Sequence, residues 1–182
     1  MRAVTQPLPG VLLLEHQVFN DARGGFLESW NERSFAAAGI AARFVQENVS
    51  LSRRWVLRGL HYQIRRTQGK LVRVLTGAIY DVIVDLRRSS PAFGRSLTVA
   101  LEADRHGSLW VPPGCAHGFL ALADDTRVQY KVTDFWSPED ERTLAWDDAA
   151  LGIRWPLPPG VAPILSDKDR QGAPLARAEV FP

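Results

Sequence analysis

Apolar and polar residues alternate in short runs along most of the chain, and the runs close on Gly, Pro, Asp or Ser. A period of two with turn residues between the runs predicts an all-β sandwich or barrel. In residues 79–86, Tyr80, Val82, Val84 and Leu86 share one face and Asp81 and Asp85 the other, which predicts a strand buried on one side. Comparable runs at 11–14, 43–50, 56–63, 70–75, 96–102, 108–111, 119–122 and 126–133 predict further strands. The pairs Thr76-Gly77 and Pro113-Gly114 and the cluster Ser89-Ser90-Pro91 supply turns. One early helix is expected, capped by Asn31, running through Glu32, Phe35 and residues 36–38 and ending at Gly39. A second is expected near 138–142, and the proline-rich stretch from Trp155 reads as an irregular arm packed on the barrel. About eight or more strands in one chain suggest a jelly roll or related barrel, because closure removes exposed edges and leaves a usable mouth.

Composition narrows the class without naming a reaction. The 182 residues suit one domain, 1–182, with a barrel core at about 43–135. Hydrophobic residues at 46% and charged residues at 23% are ordinary for a globular protein, which excludes disordered and fibrous classes. The net charge is +2, and no basic cluster exceeds Arg65-Arg66 or Arg87-Arg88, so a nucleic-acid surface is unsupported and a small-molecule partner is expected. Cys115 is the single cysteine, so no intramolecular disulfide can form. The residues after Met1 lack the apolar core of a signal peptide, and no run approaches the ~20 apolar residues of a membrane span. The expectation is a cytoplasmic protein without membrane contact.

Polar side chains occur where a purely structural barrel would place apolar ones. Gln46, Asn48 and Ser50 share a strand face with Phe44, which suits a polar ligand. Of the four histidines, His16 and His106 lie among polar or turn residues and read as structural or exposed. His61 shares a face with Gln63 and, taken alone, reads as a satisfied core histidine; His117 follows the turn 112–116 and, taken alone, reads as a buried turn histidine. Tyr130 shares a face with Val128 and Val132, so its hydroxyl needs a partner inside the barrel. Lys70 opens a strand and, taken alone, reads as an ordinary edge lysine.

Several longer words carry a resemblance. Residues 21–28 (DARGGFLE), 46–50 (QENVS), 57–63 (LRGLHYQ), 69–74 (GKLVRV), 111–119 (VPPGCAHGF), 130–134 (YKVTD), 137–142 (SPEDER), 146–148 (WDD) and 165–169 (LSDKD) resemble the dTDP-4-dehydrorhamnose 3,5-epimerases, in that family's order and over nearly the whole chain. The resemblance implies a cupin-type jelly-roll barrel with short helices, acting without cofactor or metal. It also implies a homodimer with exchanged N-terminal strands and inversion of C3 and C5 of dTDP-4-keto-6-deoxyglucose. A proton next to a ketone is weakly acidic, so its exchange needs a placed base, enolate stabilisation and an acid on the opposite face. By resemblance His61 is the base, Asp169 the carboxylate on it, Lys70 the cation near the enolate and Tyr130 the acid. A carboxylate partner is expected to raise the proton affinity of His61. Arg23 and Arg58 would pair with the diphosphate, Phe26 and Glu28 would meet the thymine, and Gln46, Asn48 and His117 would line the sugar and linker pocket.

Simple alternation opposes this assignment at one place, because it sends Arg58 and His61 to opposite faces; a bulge at Gly59 would re-aim one of them. The chain also departs from the family pattern. Trp136 stands where a tyrosine is common and can stack on a base without offering a hydroxyl, and Cys115 replaces a larger apolar residue and reads as a small buried side chain. Asp167 is a rival to Asp169 as the partner of His61.

Three other readings compete. A single-site C3 or C5 epimerase would keep the same base and barrel. A metal-dependent cupin would match Pro112-x-Gly114-x-x-His117 but has Gln63 where a second histidine is needed, with Lys70 adding positive charge. A non-enzymatic sugar-nucleotide module would not need base, lysine and tyrosine together.

Overall fold

The computed structural model describes all 182 residues. The chain opens with β1 (Arg2–Thr5) and β2 (Leu12–Glu15), followed by a separate hairpin of β3 (Val18–Asp21) and β4 (Gly24–Leu27). Helix α1 (Glu32–Ala37) leads into β5 (Gln46–Ser52), β6 (Leu57–Gln63), β7 (Lys70–Thr76) and β8 (Ala78–Asp85). Then come β9 (Ser96–Glu102), β10 (Gly107–Val111), β11 (Cys115–Ala121), β12 (Thr126–Val132) and a short β13 (Glu141–Thr143). The arm that follows is irregular apart from the one-turn helix α2 (Asp167–Arg170) and brief 3-10 turns.

The strands form a six-stranded sheet, β1-β2-β10-β7-β12-β5, and a five-stranded sheet, β13-β6-β11-β8-β9, both antiparallel. Their inner faces meet in one apolar core, to which Val72, Val74, Leu109 and Val128 come from the first sheet and Ile79, Ile83, Leu101 and Phe119 from the second. This is the expected jelly roll, with β2 of the N-terminal segment paired into the larger sheet. No helix is long and apolar enough to cross a membrane.

The expected first helix is present. Asn31 Oδ1 accepts from the backbone N–H of Arg33 and Ser34, which pairs two of the donors a helix start leaves unpaired. Phe35 is buried and anchors the helix on Trp110 and Leu71, and Gly39, at φ +89°, turns the chain away.

Two expectations need correction. Residues 137–140 form a tight turn closed by bonds to Ser137 O, and the chain then enters β13 instead of a second helix, because β6 offers an edge with which 141–143 pair. Strand β8 is buried on both faces: Asp81 and Asp85 are inaccessible in the barrel, while Tyr80, Val82, Val84 and Leu86 are covered by Ile153, Trp155, Leu175 and Phe181 of the arm. Asp85 is satisfied there by Arg87 and Ser90.

Candidate active site

Residues directly opposite on paired strands project to the same side. Across the larger sheet one such row reads Gln46, Val132, Lys70, and the next reads Asn48, Tyr130, Val72. The inner surface therefore changes from apolar at β10 to polar at β5, with Lys70 of β7 and Tyr130 of β12 between them, and the polar end opens into a cavity of about 880 Å³.

The other wall comes from β6 and β11. His117 faces His61, but two residues later Phe119 faces Arg58, so β6 carries one extra residue between the pairs. That extra residue is the expected bulge, and it brings Arg58 and His61 to the same cavity. Gly59 permits it: its φ is +124°, and a Cβ there would lie 2.5 Å from the Cα of Gly118.

His61 Nε2 lies 2.5 Å from Asp169 Oδ1. The second carboxylate oxygen of Asp169 accepts from Ser166 Oγ at 2.7 Å, and that serine also caps α2. Asp167 is solvent-exposed and pairs with Arg170, so Asp169 is the carboxylate that meets His61. Burial pushes the imidazole below its usual proton affinity, more strongly than Asp169 raises it, and Lys168 adds to the lowering. The expected rise is thus reversed by desolvation. Burial works to raise Asp169, yet the bonds from His61 and Ser166 outweigh it and hold the carboxyl below its usual range. Near neutral pH the pair is an unprotonated imidazole beside a carboxylate.

Lys70 is no edge lysine, since β7 lies between β10 and β12. Its side chain is buried, and Nζ donates to the carbonyl oxygen of His61 at 3.1 Å. Burial pushes its ammonium down to about 8, against the charges of Glu141 and Asp81. Burial also raises the phenol of Tyr130, so at neutral pH it is an O–H donor on the cavity wall.

Further out, Arg58 is steadied by Ser52 Oγ and Leu51 O and has no carboxylate within ion-pair distance. Gln46 donates to Asn48 Oδ1 and accepts from the backbone N–H of Trp136, whose half-exposed ring stands at the rim. His117 lies within β11, not in the preceding turn, with Nε2 between the two oxygens of Asp81.

Arg23, Phe26 and Glu28 are not brought to this cavity. Arg23 pairs with Asp21, Phe26 is 71% exposed on β4, and Glu28 accepts from Asn31. Gln63 is fully engaged with the backbone of Arg66, Phe135 and Ser137. No three His, Cys, Asp or Glu side chains cluster at metal-binding spacing. Burial pushes the Cys115 thiol up to about 12, which makes it inert as a nucleophile.

The sequence reading missed Asp81 and the ion pair of Lys168 with Glu141 at 2.8 Å, both members of which line the cavity. A carboxylate in an otherwise apolar strand was the available signal for Asp81, because such a group is tolerated only with a partner.

A family model described as dTDP-4-dehydrorhamnose 3,5-epimerase matches residues 5–177. The dTDP-4-dehydrorhamnose 3,5-epimerase of Pseudomonas aeruginosa is 51% identical over 183 aligned positions that cover 100% of both chains. The crystal structure of the dTDP-6-deoxy-D-glucose-3,5-epimerase of Legionella pneumophila, in complex with dTDP-4-keto-L-rhamnose, superposes with a TM-score of 0.92 at 40% identity, covering 98% of this chain and 94% of that one. A 3'-monoepimerase from Streptomyces bikiniensis in complex with dTDP-quinovose superposes at 0.87 with 34% identity, covering 94% and 86%.

Proposed function

The chain belongs to the dTDP-4-dehydrorhamnose 3,5-epimerase family and is an epimerase of the isomerase class, and from that premise we propose how its own residues carry the reaction. The substrate is dTDP-4-keto-6-deoxy-D-glucose, and inversion at C3 and C5 gives dTDP-4-keto-L-rhamnose for dTDP-L-rhamnose or other deoxysugar biosynthesis. The observation that carries this reading is the single cavity in which the His61–Asp169 pair, Lys70 and Tyr130 meet.

His61 removes the proton next to the C4 ketone. Asp169 orients the ring and stabilises the imidazolium as it forms, which an unprotonated base with a fixed acceptor at 2.5 Å is built to do. The electrons move onto the ketone oxygen, where the Lys70 ammonium, already desolvated, stabilises the enolate without reorganisation. Tyr130 returns a proton from the opposite face, completing the inversion.

Arg58 holds the diphosphate, and Gln46, Asn48, His117 and Trp136 line the sugar and nucleotide path. Arg23, Phe26 and Glu28 act on the diphosphate and thymine of a neighbouring cavity, because the protein works as a homodimer with exchanged N-terminal strands. The separate, exposed β3–β4 hairpin supports that arrangement. Residues 1–182 act as one cytoplasmic epimerase domain around a barrel core of about 43–135. The second reading, a single-site epimerase, draws on the likeness to the 3'-monoepimerase.

His61→Ala tests the base. Solvent-proton exchange into the substrate is expected to disappear while dTDP affinity, read by calorimetry, stays within about threefold of wild type; exchange at the wild-type rate would remove His61 from the mechanism.

A further inference from the structure

Asp81 is a buried carboxylate that this reaction leaves without a part. It lies on the inner face of β8, inaccessible to solvent, and both its oxygens meet Nε2 of His117, at 3.0 and 2.8 Å. His117 is in turn the direct cross-strand partner of His61. Two histidine–carboxylate pairs therefore stand side by side on β6 and β11, one oriented from α2 and the other from β8.

Burial raises the carboxyl of Asp81 more than His117 lowers it, but a nitrogen held between both oxygens is the geometry of an N–H donated to a carboxylate, which leaves Nδ1 as the ring's uncommitted polar atom toward the cavity that His117 lines.

We propose that Asp81 is a positioning residue of the epimerase: it locks the ring of His117 through Nε2 and so turns Nδ1 toward the bound substrate. This inference rests on the epimerase reading given above.

Asp81→Asn keeps the size of the carboxylate and removes its charge. With dTDP-4-keto-6-deoxyglucose as substrate, kcat/KM is expected to fall roughly 10–100-fold, with KM raised as well as kcat lowered. A kcat and KM equal to those of an active wild type overturn the inference and leave the epimerase reading intact, whereas a wild type that exchanges no label overturns both.

Should the variant fail to fold, the wild type still decides the matter by NMR. A slowly exchanging, far-downfield Nε2 proton that is lost in His117→Gln is expected, and a freely exchanging His117 ring overturns the inference without any assay of turnover.

Discussion

Replacing Lys70 by methionine should make the protein more stable and much less active, and both effects follow from the same burial. The wild-type ammonium falls from the usual 10.5 to about 8 on folding. At about 1.4 kcal/mol per tenfold in proton affinity, that corresponds to roughly 3 kcal/mol lost to desolvation at neutral pH. Methionine removes the charge but also the bond to the carbonyl of His61, which offsets about 1 kcal/mol, so the net gain is about 2 kcal/mol. For a chain of this length, that raises Tm by about 4–8 °C.

The gain has a definite pH dependence. The unfolded lysine keeps its proton up to 10.5 while the folded one releases it near 8, so wild-type stability climbs between those values. The advantage of K70M is therefore full below about pH 8 and gone above about 10.5. Enolate stabilisation is lost at every pH, and removing one such group costs about 10²–10³ in kcat. Thermal melts at matched protomer concentration from pH 6 to about 10.5, together with deuterium-exchange rates, supply the two readings. A variant that melts lower than wild type at pH 7 and still exchanges protons at the wild-type rate would refute both the burial cost and the role of Lys70.

Other perturbations separate the remaining parts of the account. Asp169→Asn should lower kcat by about 10²–10⁴ and move the acid limb of the profile to lower pH, because His61 loses the partner that raises its proton affinity; an acid limb that stays in place would remove Asp169 as the tuning group. In the proposed strand-exchanged dimer, co-expressed His61→Ala and Arg23→Ala chains should regain roughly a quarter of wild-type activity, since half the pairs would be mixed and each mixed pair would hold one intact site. No recovery in mixtures shown to contain hybrid dimers would mean that the hairpin serves its own cavity.

The parts of the structure set by local pattern were legible in the sequence. Alternation located β5 to β12, the Asn31 cap located α1, and the shared face of Gln46 and Asn48 gave the polar wall of the cavity. The conflict between Arg58 and His61 was visible as a broken period, and Gly59 marked where it is resolved. What was not legible depends on distant chain. Lys70 reads as an edge residue until β10 and β12 flank it, and Asp81 reads as solvent-facing until the arm covers the opposite side of β8. The carboxylate of Asp169 reaches His61 across 108 positions of sequence, a distance over which spacing carries no geometric information. Strands β1, β3 and β4 have only four residues each and mostly exposed side chains, so they show no clear alternation.

The central claim is that His61 and Tyr130 work from opposite faces of the sugar at both carbons flanking the ketone. Incubating the protein with dTDP-4-keto-6-deoxyglucose in deuterated water and locating the incorporated label by NMR tests it most directly. The account predicts deuterium at C3 and C5 with both centres inverted; label confined to one carbon would contradict it and leave a single-site epimerase.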